Sequence, residues 1–179
     1  MIKGTTIIAL RSVVEKRAVI ACDGQVTMDT VVIKSRTRKV RRLYNGTIIV
    51  GFAGATADCL SLLDRLEEHL EKYGGQMRRA AVELTKEWRT DRVLRHLEAI
   101  IVCAGEEGLL MVSGSGDVLE ADDDMFGVGS GGVYALTAAR AICSVTELPI
   151  IDVAEKALEI AGGIDIYTNT NIIMEEVSW

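Results

Sequence analysis

The chain has 179 residues, of which 49% are hydrophobic and 26% are charged, so it can bury the core of one globular domain. Its formal net charge of −6 argues against general binding to nucleic acid, which requires a basic surface. The longest uninterrupted apolar run, residues 99–104, is far shorter than the roughly 20 residues that span a bilayer. The N-terminus also lacks the apolar region of a signal peptide. These two features predict a soluble, cytoplasmic protein with no membrane segment.

The N-terminal segment predicts a β-hairpin preceded by a candidate nucleophile. Residues 5–11 and 18–22 are short, rich in β-branched side chains and separated by a polar stretch, which is typical of two antiparallel strands. If the Gly4–Thr5 bond were cut, Thr5 would carry a hydroxyl beside a free α-amine with a pKa of about 7.7–8.0, and so a nucleophile with its own base. By itself, Gly4-Thr5-Thr6 more commonly marks only the β-branched start of a strand.

A basic segment, residues 34–42, contrasts with the negative charge of the whole chain. It holds six Lys or Arg residues among nine, with no aromatic side chain interleaved to stack on bases. Such a run is most often a solvated strand or loop, and nucleic-acid recognition is an alternative. A third interpretation is electrostatic, because clustered cations disfavour the protonation of neighbouring amines and lower their pKa.

A second hairpin and two helices are predicted next. The hairpin joins strands over residues 39–44 and 47–53, because Asn45-Gly46 between them is a strong signal for a tight antiparallel turn. Apolar residues then recur at intervals of three and four from residue 56 to a glycine stop at residues 74 and 75, which predicts an amphipathic helix. A second apolar stripe over residues 77–88 predicts another helix, extended or restarted toward Leu97.

The second half of the chain again predicts strands followed by two helices. In chain order these are strands over residues 99–104 and 109–113, a strand beginning at 118, a strand over 125–128, a helix ending near 145, a helix over about 151–161 and a strand over 171–177. Hairpin-linked strands imply antiparallel sheets that paired helices can cover, so we expect a layered α+β domain.

The glycine-rich segment 127–132 matches the letters of the dinucleotide motif G-x-G-x-x-G between a strand and a helix. It comes late in the chain, follows a very short strand and belongs to no repeated βαβ unit, so a nucleotide-binding module is only an alternative. A bend that brings the Ser130 hydroxyl close to another backbone fits the segment better.

The cysteines predict neither a zinc site nor a disulfide framework. Cys22, Cys59, Cys103 and Cys143 are widely spaced without a C-x-x-C pair, and the chain has only two histidines. We expect four buried free thiols.

Short motifs of distinctive composition follow one another along the whole chain. They are Gly4-Thr5-Thr6-Ile7, Asp23-Gly24-Gln25, Arg38-Lys39-Val40-Arg41-Arg42-Leu43, Gly51-Phe52-Ala53-Gly54, Ala80-Ala81-Val82-Glu83-Leu84, Trp88-Arg89-Thr90-Asp91-Arg92, Gly129-Ser130-Gly131-Gly132 and Ile166-Tyr167-Thr168-Asn169. From Thr5 to the C-terminus, this order resembles the proteasome-like N-terminal nucleophile hydrolases, in particular the threonine peptidase subunits of bacterial two-component ATP-dependent proteases. The resemblance implies a propeptide, residues 1–4, removed by self-cleavage, and a single peptidase domain, residues 5–179. It also implies a four-layer αββα sandwich, with two antiparallel sheets between helix layers.

The resemblance implies a role for each candidate catalytic residue. Thr5 would be the nucleophile, and the Lys39 ammonium would stabilise its alkoxide as the proton leaves for the α-amine. Asp23 would pair with and orient Lys39, and Ser130 would hydrogen-bond the α-amine. The main-chain N–H of Gly51 would donate to the oxyanion, and the missing side chain there would let the substrate backbone come close.

The resemblance also implies a sodium ion, bound through the main-chain carbonyls of Gly162, Asp165 and Thr168. Asp165 stands where cysteine is common in the family, and its carboxylate could strengthen such a site.

The partners implied are copies of the same chain, in a double ring of hexamers, and a ring-shaped AAA+ ATPase that feeds in unfolded proteins. ATP would act on that ATPase and not on this chain. A non-catalytic ring or scaffold protein of the same fold is the alternative.

Overall fold

The secondary structure follows the predicted order of strands, two helices, strands, two helices and a final strand. The computed structural model describes the chain except for residues 1, 4, 55, 93 and 95–98, and for residues 2, 3 and 56–58 it describes the backbone only. The strands are β1 (Ile2–Lys3), β2 (Thr6–Ser12), β3 (Arg17–Cys22), β4 (Val26–Met28), β5 (Val31–Lys34), β6 (Val40–Leu43), β7 (Ile48–Gly54), β8 (Ala99–Gly105), β9 (Gly108–Ser113), β10 (Val118–Glu120), β11 (Met125–Gly129) and β12 (Ile173–Ser178). The helices are α1 (Thr56–Lys72), α2 (Met77–Thr90), α3 (Gly132–Val145) and α4 (Ile150–Gly162). None of the helices described has the length and apolar character needed to cross a membrane.

The described strands form three antiparallel sheets. The first large sheet has the order β11-β2-β3-β12, and the second has the order β10-β9-β8-β7-β6. A small third sheet has the order β1-β4-β5.

The two large sheets pack face to face, and each carries a helix pair on its outer surface. Along β2, Ile8 and Leu10 pack with buried residues of α3 and α4, whereas Ile7 and Ala9 pack against the facing sheet. Successive side chains of a strand point to opposite faces, so both faces of β2 are buried. The outer face of the second sheet packs in the same way against α1 and α2. The predicted αββα sandwich is therefore confirmed.

Two predicted chain reversals have the expected backbone. In the β6–β7 hairpin, Tyr44, Asn45 and Gly46 have φ values of 46°, 55° and 80°, the left-handed region that Asn and Gly adopt most readily. After α1, Gly75 has a φ of 80° and its N–H donates to the Leu70 carbonyl at 2.8 Å, which satisfies an end-of-helix acceptor.

A side chain from the β8–β9 turn holds the start of α2. Glu107 accepts hydrogen bonds from the N–H groups of Met77 at 2.6 Å and Arg78 at 3.2 Å, and a carboxylate is favoured at a helix N-terminus. The helix ends at Thr90, because Asp91 has an extended backbone with a φ of −70° and a ψ of 135°, so the predicted helix does not continue unbroken. Of the predicted stretch toward Leu97, residues 93 and 95–97 lie outside the described residues.

The small sheet was not predicted. Val31, Val32 and Ile33 of β5 are all exposed although all three are apolar. The sequence therefore lacks the alternation of apolar and polar residues that identifies a half-buried strand.

The prediction of four buried thiols is wrong for one residue. Cys22, Cys59 and Cys103 are buried, whereas Cys143 lies on the exposed side of α3, and all four are free. Burial raises the pKa of Cys22 to about 11 and that of Cys103 to about 12, because a thiolate loses its hydration there.

Candidate active site

Three buried polar residues meet where the two large sheets face each other, and two of them, Asp23 and Lys39, were predicted site residues. Thr6 opens β2, Asp23 directly follows β3, and Lys39 directly precedes β6 of the opposite sheet. Their exposed fractions are 0%, 0% and 3%. The fold therefore brings a carboxylate and an ammonium into the protein interior from opposite sheets.

Asp23 and Lys39 form a buried ion pair. The Lys39 Nζ donates to Asp23 Oδ1 at 2.8 Å and to the main-chain carbonyl of Gln25 at 2.6 Å. Removing two charges from water is costly unless they are paired and hydrogen-bonded, and both conditions hold here. The structure thus contains the pairing that the resemblance implies, while its catalytic role stays a prediction.

The same carboxylate also fixes the main chain next to Thr5. Asp23 Oδ1 accepts the N–H of Thr6 at 2.8 Å, and Oδ2 accepts the N–H of Gln25 at 2.7 Å. In return, the Asp23 N–H donates to the Thr6 carbonyl at 3.1 Å. Because Thr6 N–H and Lys39 Nζ share one oxygen, the ammonium lies beside the peptide group that joins Thr5 to Thr6.

Burial lowers the pKa of Lys39 below the 10.5 of an exposed lysine, and the Asp23 carboxylate opposes this shift. The sequence-based interpretation attributed lowered pKa values in the basic segment to clustered cations. The structure assigns the main cause to desolvation instead. Two neighbouring cations of the segment, Arg38 and Arg42, pair with Glu175 at the surface.

A second set of hydrogen bonds links Thr6 to the loop after α4. The Gly131 N–H donates to Thr6 Oγ1 at 2.9 Å, and Thr6 Oγ1 lies 2.6 Å from Thr168 Oγ1. Thr168 Oγ1 lies 2.5 Å from Asp165 Oδ2. An ionised carboxylate can only accept, so Thr168 donates to Asp165 and accepts from Thr6. Each group donates to the next, from the Gly131 N–H through Thr6 and Thr168 to the Asp165 carboxylate, which only accepts, and this series joins the start of α3, β2 and the loop after α4.

The bend before α3 lies against Thr5 through its main chain, while the predicted approach of the Ser130 hydroxyl stays a prediction. The Ser130 N–H donates to the Thr5 carbonyl at 3.0 Å. Gly129 has a φ of 89°, and a Cβ there would lie 1.8 Å from the Thr5 carbonyl oxygen, so only glycine fits. The bond from the Ser130 hydroxyl to an α-amine would exist only after cleavage before Thr5, and it stays a prediction.

Packing within the chain explains the other glycines of this segment. A Cβ at Gly127 would lie 2.0 Å from the Gly132 carbonyl oxygen, and a Cβ at Gly131 would lie 2.5 Å from Thr6 Oγ1. The Gly131 N–H already donates to Thr6. The glycine pattern therefore needs no bound phosphate to account for it.

Gly51 lies in β7, opposite Val40 of β6 and Val102 of β8. A Cβ at Gly51 would lie 2.8 Å from Ile20 Cγ2 and 3.2 Å from Ile7 Cγ2, both in the facing sheet. Close packing between the sheets therefore explains why residue 51 is a glycine, whereas the sequence analysis attributed the missing side chain to room for a substrate backbone. Donation from its N–H to an oxyanion stays a prediction.

The candidate sodium ligands lie in and after the last turn of α4. The carbonyls of Gly162 and Thr168 receive no hydrogen bond from the described residues, and the Asp165 carbonyl accepts the Thr168 N–H at 3.0 Å. The Asp165 carboxylate points back into its own loop, because Oδ1 accepts the Tyr167 N–H at 3.2 Å and Oδ2 accepts Thr168. Within the described ranges, no three His, Cys, Asp or Glu side chains form a metal-binding group.

Two residues of this cluster were missed as site residues by the sequence analysis. Thr6 and Gln25 both stand inside quoted motifs, beside Thr5 and Asp23 respectively. The available signal was proximity in sequence to a residue with a predicted role, but their hydrogen bonds reach partners far along the chain.

The chain is similar to known proteins over almost its whole length. The family model described as proteasome subunit matches residues 1–177. A protein named ATP-dependent protease subunit HslV from Caldanaerobacter subterraneus subsp. tengcongensis is 51% identical over 176 residues, which cover 98% of this chain and 99% of the relative. One of the same name from Paramagnetospirillum magneticum is 53% identical over 174 residues, covering 97% and 94%.

Solved structures show the same relationship. The crystal structure of eukaryotic HslV from Trypanosoma brucei matches with a TM-score of 0.91 and 39% identity, over 97% of this chain and 99% of that one. The protein BPH from Thiobacillus denitrificans matches with a TM-score of 0.73 and 19% identity over 97% of each chain, which shows the fold alone. The chain therefore belongs to the proteasome subunit family and, within it, to the HslV group.

Proposed function

We propose that this chain is the threonine-type endopeptidase subunit of an ATP-dependent protease, with Thr5 as its N-terminal nucleophile. The observation that carries the proposal is the buried Asp23–Lys39 pair, fixed by a shared oxygen beside the Thr5–Thr6 peptide group. Met1 and Gly4 of the proposed propeptide lie outside the described residues.

The reaction would begin once cleavage after Gly4 has freed the Thr5 α-amine. The Thr5 hydroxyl oxygen attacks the substrate carbonyl carbon while its proton passes to the α-amine, and the Lys39 ammonium stabilises the developing alkoxide. The N–H of Gly51 stabilises the oxyanion, and the Ser130 hydroxyl holds the α-amine in place.

Collapse of the tetrahedral intermediate would break the peptide C–N bond and leave the substrate acyl group as an ester on Thr5. The departing amine takes the proton from the α-amine. Water then attacks the ester, giving its proton to the same α-amine, and the product leaves as a carboxylic acid while the Thr5 hydroxyl is restored.

The structure supports a catalytic rather than a scaffold role. A ring protein that only kept the fold would gain little from a buried ion pair, since apolar residues of similar volume are often as stable or more stable at such positions. The other alternative, a nucleotide-binding module, rested on the glycines of residues 127–132, whose packing within the chain explains them.

We place this subunit in a double ring of hexamers that encloses the active sites and docks to the AAA+ ATPase HslU (ClpY). The name of the relatives, ATP-dependent protease subunit, supports such a partner. A nucleophile at an exposed N-terminus would endanger other cytoplasmic proteins unless assembly hid it. ATP would act on the ATPase, whose docking would bias the peptidase toward its active arrangement and deliver unfolded proteins.

A sodium ion at the end of α4 is a further part of the proposal. The Gly162, Asp165 and Thr168 carbonyls fit a hard cation, since the first and last receive no hydrogen bond from the described residues and Gly162 ends α4, where the helix dipole is negative. The Asp165 carboxylate, engaged within its loop, would not be a ligand. Bound sodium would supply fixed positive charge that stabilises this loop.

Intact mass and peptide hydrolysis test the proposal together. We expect the purified protein to begin at Thr5, to cleave a fluorogenic peptide slowly alone and faster with HslU and nucleotide, and to lose this activity in Thr5→Ala. A fully active preparation that still carries residues 1–4 would contradict the mechanism.

A further inference from the structure

Gln25 is a buried residue whose main chain contacts both members of the ion pair. It is 6% exposed and lies in the short link between β3 and β4. Its carbonyl accepts the Lys39 Nζ at 2.6 Å, and its N–H donates to Asp23 Oδ2 at 2.7 Å. The position of this one residue therefore affects both charged groups.

The Gln25 side chain ties this link to a distant part of the chain. Nε2 donates to Thr27 Oγ1 and to the Ile166 carbonyl, both at 2.9 Å. A carbonyl can only accept, so the nitrogen must face Ile166, and the two bonds use both of its hydrogens. Ile166 belongs to the loop between α4 and β12, so the amide joins this loop to the link between β3 and β4.

The residues on each side of Gln25 in the chain have contacts of their own. The Gly24 N–H donates to Asn169 Oδ1 at 3.1 Å, and the Gly24 carbonyl accepts the Thr37 N–H at 2.9 Å. On the other side, the pairing of β4 with β5 is irregular between Val26 and Thr27. The Gly24–Asn169 bond and the Gln25 side-chain amide both join the link to the loop between α4 and β12, and the amide is the one that starts from Gln25 itself.

We propose that Gln25 is a positioning residue for Lys39: its side-chain amide, anchored on the Ile166 carbonyl, holds its main-chain carbonyl where it accepts the Lys39 ammonium. This inference rests on the proposed function, because it concerns how Lys39 is aimed at the Thr5 hydroxyl. Its effect is on the reacting group and not on peptide binding, so it should act on kcat and leave KM nearly unchanged.

Gln25→Met tests the inference, because methionine has a similar length and no donor. We expect kcat for a fluorogenic peptide to fall about ten- to a hundredfold, as for other small displacements of catalytic groups, with KM within about twofold of wild type. A lysine that loses an acceptor holds its proton less tightly, so the alkaline limb of kcat/KM should move to lower pH. Asp23 and Cys22, the titratable groups beside Lys39, are unchanged in this variant.

Two further variants keep the test decisive. Gln25→Asn retains an amide but is one methylene shorter, so it should lose the Ile166 bond and show the same kcat loss even if Gln25→Met does not fold. Thr27→Val removes the other partner of the amide and should keep near wild-type kcat and pH profile.

The outcomes separate this inference from the proposed function. Wild-type activity that Thr5→Ala abolishes establishes the function independently. With that in hand, an unchanged kcat and alkaline limb in Gln25→Met or Gln25→Asn would overturn the positioning role, as would a change confined to KM or to thermal stability.

Discussion

Lys39 and Arg42 stand three residues apart in one basic segment, and each forms a short ion pair with a carboxylate. The distances are nearly equal, 2.8 Å from Lys39 Nζ to Asp23 and 2.6 Å from Arg42 Nε to Glu175. The side chains of the first pair are 4% and 0% exposed, whereas those of the second are 45% and 14% exposed. Burial, rather than distance, separates a functional candidate from a surface contact.

The local chain explains how one segment supplies both kinds of pair. In β6, Val40 and Leu43 are buried while Arg41 and Arg42 are exposed. Lys39 directly precedes the strand and is drawn inside by an acceptor on each side, Asp23 and the Gln25 carbonyl. An exposed pair is typically worth about 0–1 kcal/mol, whereas removing one partner of a buried pair typically costs about 3–5 kcal/mol.

The largest effect should come from Lys39→Met, which leaves the Asp23 carboxylate buried without a countercharge. We expect the free energy of unfolding to fall by about 3–5 kcal/mol in urea titration and peptide hydrolysis to become undetectable. Arg42→Met, with the same chemical change three residues away, is the matched control. Near-normal turnover in Lys39→Met would show that the buried ammonium has no part in the reaction.

Asp23→Asn should have the next largest effect, since it keeps the shape of the side chain but removes its charge. The amide has one acceptor oxygen, so it cannot accept from Thr6, Lys39 and Gln25 as the two carboxylate oxygens do. We expect a loss of about 1–3 kcal/mol in unfolding free energy for the donors left unpaired, with at least about tenfold slower hydrolysis. An Asn variant with wild-type values in both measurements would contradict the arrangement.

The pH dependence should distinguish the buried cation in a third way. Since the pKa of Lys39 is lowered in the folded protein, the unfolded chain binds this proton more tightly, and the lysine's contribution to stability rises with pH up to about 10.5. Activity should change in the opposite sense, because the reaction needs the ammonium. We expect kcat/KM to fall on the alkaline side below pH 10.5, at the same pH in wild type and Arg42→Ala. Cys22, with a pKa raised to about 11, stays mostly protonated over this range.

If the alkaline limb of kcat/KM has an apparent pKa at or above the 10.5 of an exposed lysine, the assignment of this limb to Lys39 is wrong. The assignment is also wrong if the limb moves in Arg42→Ala, because Arg42 does not contact the buried pair.

The fold and the identity of the charged residues could be predicted from sequence, but several contacts could not. Periodicity and Asn45-Gly46 identify the hairpins because those signals are local. The roles assigned to Asp23 and Lys39 came from resemblance to a family, since no local pattern reports that residues 16 positions apart will pair. Gln25 stands inside a quoted motif, but neither kind of signal gave it a role, since its side-chain partner Ile166 is 141 positions away.

The smallest effect should come from Arg42→Ala, and this variant sets the scale for the others. Glu175 also accepts a hydrogen bond from Arg38 at 2.6 Å, so its carboxylate keeps one cation and solvent after the change. We therefore expect the free energy of unfolding to fall by less than about 1 kcal/mol, and by still less in high salt, which screens exposed charges. Urea titrations of the wild type, both single variants at Arg42 and Glu175, and the double variant measure the coupling directly. A coupling energy between Arg42 and Glu175 above about 2 kcal/mol, unchanged in high salt, would show that the surface pair behaves like the buried one. Exposure to solvent would then no longer explain why Lys39 differs from its neighbours.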